Sequence, residues 1–176
     1  EWVASVKKCV ADIASNFTTN RMLIDYEERF YDKLAARKRK LSADSCLLAR
    51  EIAAWKRKVS AAWDQVRAVD VERVKIDKEA VCVGEKYRFS VTVDIANLRP
   101  EDIGVEMVIA RQIVGGQGVN VVRTIRLERT RTDNNLVTYA LDYTPDETGT
   151  FDVALRIYPC NPHLPHRMDF ALVKWA

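Results

Sequence analysis

Apolar residues recur at helical spacing from the start of the chain, in steps of three and four residues. The first run ends at about Ala14. Thr18, Thr19 or Asn20 can cap a second helix, because their side-chain oxygens accept hydrogen bonds from its free N–H groups. The spacing breaks again at Ser42 or Asp44 and then resumes. We therefore predict about three helices, with the second and third forming an antiparallel hairpin sealed by aromatic residues.

After Val66 the apolar period changes to two, with β-branched residues at alternate positions. The first strand is predicted around Val69, Val71 and Val74. Six more are predicted at residues 87–95, 105–113, 119–129, 136–143, 151–158 and 168–175. Because no segment of crossover-helix length separates them, the strands should pair antiparallel.

The two patterns divide the chain at one place. Residues 1–66 contain no Pro and no Gly, whereas all five Pro and six Gly lie between Gly84 and Pro165. We predict an α+β protein, with a helical segment at residues 1–66 followed by an immunoglobulin-like β-sandwich of about seven strands at residues 67–176. Apolar spacing from the first residues also indicates a piece of something longer.

Composition excludes several classes of partner. Of the 176 residues 48% are hydrophobic, which is too many for a disordered chain. The net charge is only +3, so we predict neither nucleic acid nor membrane as a partner. The basic run Arg37–Lys40 is interpreted as a solvated helix end, with an acidic partner as the alternative.

The four cysteines are Cys9, Cys46, Cys82 and Cys160, far apart and without a Cys-x-x-Cys pair. Secreted disulfide scaffolds of this size usually have more cysteines. The cysteines are therefore predicted to be reduced thiols, and the protein to be cytoplasmic.

The remaining motifs favour structural roles over catalysis. Residues 115–118 are rich in glycine but lie between two predicted strands, which favours a hairpin turn over a phosphate-binding loop. His163 and His166 give two imidazoles in a Pro-rich loop, and a metal site needs three or four ligands. We predict no catalytic, cofactor-binding or metal-binding residue in this chain.

Aromatic residues on a sandwich surface can stack on sugar rings. Tyr139 and Trp175 are the candidates for such a glucan contact, and core packing is the alternative for both.

Several stretches of the chain carry a resemblance to a known family. The stretches are residues 1–3, 17–23, 25–26 and 29–31 in the helical segment, and 51–56, 100–106, 158–162 and 164–167 further on. The first group resembles the C-terminal helix region of bacterial α-glucan (glycogen or starch) phosphorylases. The second group resembles the extra tail of the short, non-animal type of these enzymes.

The resemblance implies a parent enzyme that transfers a glucosyl unit from an α-1,4-glucan end to phosphate, giving glucose 1-phosphate. Pyridoxal phosphate on a lysine would serve as its acid/base relay. Those catalytic parts would precede Glu1, so this piece alone is expected to be inactive and to hold no cofactor. Residues 1–35 would form a strut that packs across the catalytic domains of the parent chain. Its anchors would be Trp2, Phe17, Arg21, Met22, Tyr26 and Phe30.

Three interpretations of the whole stay open. The sandwich is either a structural or interaction module, or an accessory surface that holds α-glucan near the active site. A free-standing cytosolic interaction module is the third, if the chain is a complete gene product. Apolar helix faces left uncovered would also promote a homo-oligomer.

Overall fold

The computed structural model describes residues 2–14, 16–73, 82–113, 115 and 118–176. The chain divides into two compact units, Glu1–Ala53 and Ala54–Ala176. The first is helical, and the second joins the end of a helix to two β-sheets. The predicted domain boundary after residue 66 stays a prediction.

Helices in the first unit begin and end close to the predicted positions. Helix α1 is Trp2–Cys9 and continues as a π-helical turn, Val10–Ala14. Helix α2 is Thr19–Tyr26, followed by a second π-helical turn, Glu27–Tyr31. Thr18 caps α2, because its Oγ1 accepts a hydrogen bond of 3.2 Å from the backbone N–H of Arg21. One of the three predicted capping residues is thus confirmed.

Helix α3, Asp32–Ala62, is interrupted within its length. Asp44, Ser45 and Cys46 have φ values of 48°, 54° and 63°, in the left-handed region that residues with a β-carbon avoid. Ala43 before them is extended. The predicted break at Ser42 or Asp44 is therefore confirmed, while the number and bounds of the helices differ slightly from the prediction.

The end of α3 belongs to the core of the second unit. Trp55, Val59 and Ala62 are buried, as are Trp63 in the 3₁₀ turn Trp63–Gln65 and Val66 after it. All five belong to the same hydrophobic cluster as the interior strand residues. Trp55 and Trp63 therefore pack against the sheets. The sequence pattern instead predicted that these aromatic residues seal a helical hairpin. An apolar helix face predicts that the face is buried, but it does not show which part of the protein packs against it.

Eight strands form two antiparallel four-stranded sheets. They are β1 Arg67–Arg73, β2 Tyr87–Asp94, β3 Ile103–Gln112, β4 Val119–Arg126, β5 Glu128–Asp133, β6 Leu136–Tyr143, β7 Asp152–Pro159 and β8 Lys174–Trp175. Sheet I has the order β1-β2-β6-β5, and sheet II has the order β4-β3-β7-β8. This is the ABED and CFG arrangement of immunoglobulin domains with one strand added beside C, which confirms the predicted α+β sandwich.

Two strand predictions differ in detail. The predicted strand 119–129 is divided at buried Leu127, where the chain leaves sheet II as β4 and enters sheet I as β5. The Leu127 N–H donates to the Val105 carbonyl oxygen at 2.9 Å. The last predicted strand, 168–175, is a 3₁₀ turn, Arg167–Phe170, followed by the two-residue β8. Alternation of apolar residues does not show when a strand changes sheets, since both sheets bury the same side-chain type.

Candidate functional site

An exposed apolar face on the helices is the first candidate surface. Trp2 and Phe17 are 79% and 76% exposed, the highest values among the large apolar residues that the structure describes. We call this surface the helical apolar face, and its exposed members are Trp2, Val3, Val6, Val10, Ile13, Phe17, Met22, Leu23, Ile24, Tyr26, Phe30, Tyr31 and Leu34. It contains every apolar anchor predicted from the sequence. An apolar surface of this extent is typical of an interaction site.

Local contacts order part of that face. The Tyr26 and Phe30 rings lie 5.8 Å apart, and the Tyr26 and Tyr31 rings 6.1 Å apart. The sixth predicted anchor, Arg21, holds its guanidinium 5.4 Å from the Phe17 ring and 3.9 Å from the Asp25 carboxylate. The rings of Tyr26, Phe30 and Tyr31 therefore form one group on the surface.

A row of charged and aromatic residues crosses the outer face of sheet II. Glu106 on β3 pairs in register with Arg126 on β4 and with Arg156 on β7, and Arg156 pairs with Trp175 on β8. Directly opposed residues of an antiparallel pair project to the same face, so all four side chains share one face. We call Arg126, Glu106, Arg156 and Trp175 the transverse row.

Glu106 is the buried residue of this row, and two arginine side chains pair with it. It is only 3% exposed, and its carboxylate accepts a hydrogen bond of 2.6 Å from Arg156 Nε and pairs with Arg167 Nη1. The Arg156 guanidinium lies 5.6 Å from the Trp175 ring, and that of Arg167 5.6 Å from the Tyr158 ring. Two cations around one carboxylate leave this part of the surface positive.

A second buried carboxylate joins α3 to sheet II. Asp102 is 2% exposed and accepts hydrogen bonds from Trp55 Nε1 at 2.8 Å and from the Arg99 guanidinium at 3.1 Å. The Arg99 N–H also donates to it at 3.0 Å. Burial by itself would raise the pKa of Asp102, but the hydrogen bonds from Arg99 and Trp55 outweigh it and hold the pKa below its usual value. This carboxylate therefore stays ionised and serves as a structural tie.

A cavity of about 660 Å³ opens at one end of the sandwich. Its apolar lining includes Tyr87, Phe89, Met107, Ile109, Tyr143 and Phe151. At its rim Arg123 donates to Asp146 at 3.0 Å, a hydrogen bond that lowers the pKa of that carboxyl. Arg111 pairs with Glu147 at 2.9 Å and stacks on Phe151. The rim charges are thus paired with one another.

The two predicted glucan contacts occupy different environments. Tyr139 is 3% exposed, and its hydroxyl donates to the carbonyl oxygens of Ile103 and Pro100 at 3.3 and 3.4 Å. Burial raises the pKa of this phenol to about 12. Tyr139 is therefore a core residue and out of reach of a sugar. Trp175 is 59% exposed on the transverse row.

The surroundings of the glycine-rich segment agree with its interpretation as a turn between two strands. Strands β3 and β4 flank the glycine-rich segment and pair antiparallel, and the Ile113 N–H donates to the Gly118 carbonyl oxygen at 3.2 Å. Gly116 and Gln117 lie outside the described residues. Within the described ranges, no group of three or more His, Cys, Asp or Glu residues is placed to hold a metal ion. In those same ranges, no helix is both long and apolar enough to cross a membrane.

The burial of Asp102 and Glu106 was not predicted from the sequence. Asp102 follows Pro100 and Glu101 in a 3₁₀ turn, and Glu106 occupies an outward position of β3 that alternation marks as solvent-facing. Arg126 and Arg156 are visible in the sequence as possible partners of a carboxylate. Only the strand pairing shows that both lie opposite Glu106.

Comparison with known proteins points to one family. The family described as the glycogen phosphorylase C-terminal domain matches residues 63–176. The chain is 30% identical over 178 residues to maltodextrin phosphorylase of Thermococcus litoralis, an alignment that covers 99% of this chain and 20% of that protein. Glycogen phosphorylases of Mycobacterium tuberculosis and Mycobacterium bovis are each 26% identical over 176 residues, with the same coverage.

The chain thus spans 20% of the length of the curated relatives it matches, while nearly all of it aligns with them. The matched region, residues 63–176, contains both sheets, the transverse row and the Asp102 tie. The resemblance seen in the sequence is confirmed, and the chain belongs to the glycogen phosphorylase C-terminal domain family.

Proposed function

We propose that this chain is the C-terminal, non-catalytic module of an α-glucan phosphorylase, and that the helical apolar face attaches it to the catalytic domains of the same polypeptide. The exposure of that face carries the proposal. The relatives are about five times as long as this chain, so the remaining domains of one polypeptide could provide the surface that the helical apolar face contacts.

The distribution of apolar surface supports a docking role. In the second unit the interior residues of both sheets form one buried cluster. In the helices α1 and α2 no residue is buried, although both have the apolar spacing of a packed helix. Burying large apolar side chains is the main favourable term in association. Trp2, Phe17, Met22, Tyr26 and Phe30 are the proposed anchors, with Arg21 beside them.

The parent enzyme is proposed to phosphorolyse α-1,4-glucan to glucose 1-phosphate in the cytoplasm, and pyridoxal phosphate would supply its acid/base chemistry. We infer that the lysine that binds this cofactor lies outside the present chain. Lys56 Nζ donates to the Asp169 carbonyl oxygen at 2.8 Å, and Lys174 Nζ donates to those of Asp64 and Val66. No lysine is among the lining residues of the cavity. The reaction is therefore assigned to the preceding domains, and this chain alone should be inactive.

The size of the native polypeptide tests the first half of the proposal. An antibody raised against this chain should detect, in a lysate of the source cells, a band several times heavier than 20.1 kDa. That polypeptide should release glucose 1-phosphate from glycogen in the presence of phosphate. A band at 20.1 kDa would contradict the proposal and favour a free-standing interaction module.

Paired substitutions in the parent enzyme test the docking role. Phe30→Ser removes an exposed ring from the helical apolar face, whereas Lys33→Ser changes an exposed polar residue one turn away. If the face is buried against the catalytic domains, Phe30→Ser should cost about 3 kcal/mol of stability, as truncation of a core aromatic residue does. Thermal unfolding and phosphorolysis rate should change in Phe30→Ser alone. Equal behaviour of both variants would contradict docking through this face.

A further inference from the structure

We propose that the transverse row is an α-glucan-binding surface, on which Trp175 stacks against one glucose ring and Arg126 donates hydrogen bonds to the hydroxyl groups of another ring of the same glucan chain. The choice of ligand rests on the proposed function, since the parent enzyme acts on an α-glucan. The surface itself follows from the contacts on sheet II.

The row is continuous across the sheet. Its four residues occupy consecutive strands in direct register, β4, β3, β7 and β8. Neighbouring strands lie about 4.8 Å apart, so the row runs for roughly 14 Å from Arg126 to Trp175. It therefore offers an aromatic ring at one end and a guanidinium at the other, on one flat face.

Trp175 is held in place although its ring is exposed. The preceding residue, Lys174, donates to the carbonyl oxygens of Asp64 and Val66. The following residue, Ala176, exchanges two backbone hydrogen bonds with Leu155, at 2.9 and 3.3 Å. Arg156 lies against the ring and is itself fixed by buried Glu106. An aromatic side chain that is ordered before binding loses little conformational entropy when a ligand stacks on it.

The guanidinium of Arg126 is the group of the row that is best placed to donate hydrogen bonds to a ligand. Arg156 and Arg167 already direct N–H groups to the Glu106 carboxylate, so their charge is partly compensated. Arg126 contacts the Cys160 Sγ at 3.5 Å, a weak acceptor, and is exposed. Its planar fork can donate two parallel hydrogen bonds to adjacent oxygens. A sugar ring has both the apolar face that suits Trp175 and the paired hydroxyl groups that suit Arg126.

Affinity electrophoresis of the 176-residue chain in gels that contain glycogen tests this surface. The unaltered chain should be retarded relative to a glycogen-free gel. Trp175→Ala should raise the apparent dissociation constant about tenfold, the loss typical of truncating an aromatic anchor. Trp175→Phe should recover much of the retardation. Val69→Ala is the control, because it truncates an exposed apolar residue on β1 of sheet I, outside both the transverse row and the helical apolar face.

A second variant distinguishes loss of glucan binding from local unfolding of β8 in Trp175→Ala. Arg126→Gln lies on the other edge of sheet II and changes an exposed side chain, so it should leave the unfolding temperature unchanged and still weaken retardation. Absence of retardation in the unaltered chain, or equal retardation in Trp175→Ala and Val69→Ala, would overturn the inference. So would displacement of glycogen by inorganic phosphate, which would identify an anion site. None of these results affects the size of the native polypeptide, which tests the proposed function separately.

Discussion

Asp102 and Glu106 stand four residues apart in the chain and are both buried with their charge compensated by arginine. Removing one partner of a buried ion pair is costly, because the remaining charge keeps its desolvation penalty without the compensating attraction. Asp102 in addition accepts the indole N–H of Trp55, which belongs to α3. Loss of this carboxylate therefore affects both the helix end and the sheet.

We expect Asp102→Asn to lower the free energy of unfolding by about 2 kcal/mol at neutral pH, since Arg99 and Trp55 lose a charged acceptor. The folded-state pKa of Asp102 is lowered, so its contribution is complete above its unfolded pKa of about 3.9 and is lost as the pH falls through the folded value. Urea unfolding of both forms at neutral pH and at about pH 2 should show the difference shrinking in acid.

Glu101→Gln is the control for this prediction, because Glu101 is the adjacent carboxylate and forms an exposed pair with Arg129 at 3.1 Å. Exposed ion pairs contribute little to stability. The predicted role of Asp102 would be wrong if the two variants unfolded at the same urea concentration, or if the Asp102→Asn deficit were independent of pH.

For single residues, the sequence allowed a side chain's partner to be predicted when that partner is a backbone group a few residues away. The Thr18 cap could be predicted because the N–H group it binds is three residues away. The partners of Glu106 could not be predicted, because Arg156 and Arg167 are 50 and 61 residues distant. For Tyr139 the residue type left glucan contact and core packing open, because it does not show which side of a strand is interior, and the structure buries this side chain.

Helix α3 connects the part of the sequence with helical apolar spacing to the part with strand-like alternation. Its final turns supply Trp55, Val59 and Ala62 to the sandwich core, and the 3₁₀ turn adds Trp63. The break at Asp44–Cys46 separates this part from the preceding helical stretch. The compact unit that contains the sheets accordingly begins inside the helix, at Ala54.

We expect a chain of residues 54–176 to unfold cooperatively, and a chain of residues 67–176 to be unfolded or molten. The shorter chain loses five buried core residues that contribute on the order of 8 kcal/mol, which is comparable with the whole stability of a typical domain. Thermal unfolding monitored by circular dichroism compares the two. Equal, cooperative transitions would contradict this expectation and favour the domain boundary after residue 66.

The strands show how much of an element follows from local pattern. Alternation predicted the position of β2, β3, β6 and β7, because each buries one face in the core. It merged β4 and β5, because Leu127 continues the alternation while the chain passes from sheet II to sheet I. Strand order likewise depends on pairings between distant segments and has no local signal.

On the scale of the whole molecule, the chain combines a closed sandwich core with an open helical apolar face. An exposed apolar face of this kind marks an interaction site or promotes association. In the proposed parent enzyme the catalytic domains cover it. When the chain is produced by itself, the available cover is a second copy of the same face.

We therefore expect the isolated chain to self-associate in a concentration-dependent manner, and more strongly at high salt, because apolar burial drives the association. Phe17→Ser and Leu34→Ser should shift the chain toward the monomer, since both residues are exposed on the helical apolar face. Lys38→Ser, on the same helix as Leu34, should not. Sedimentation velocity over a range of concentrations measures the effect. A monomer at all concentrations would contradict it.

The sequence by itself determined what its local periods encode: the helices and their breaks, most of the strands, the antiparallel sandwich class and the resemblance to phosphorylase C-terminal regions. Tertiary structure alone decided which surfaces meet. It moved Trp55 and Trp63 into the sandwich core, buried Tyr139, and aligned Arg126, Glu106, Arg156 and Trp175 across sheet II. The physical reason is that a period reports that a side chain is apolar and on which face it lies, whereas its partner is set by chain segments tens of residues away.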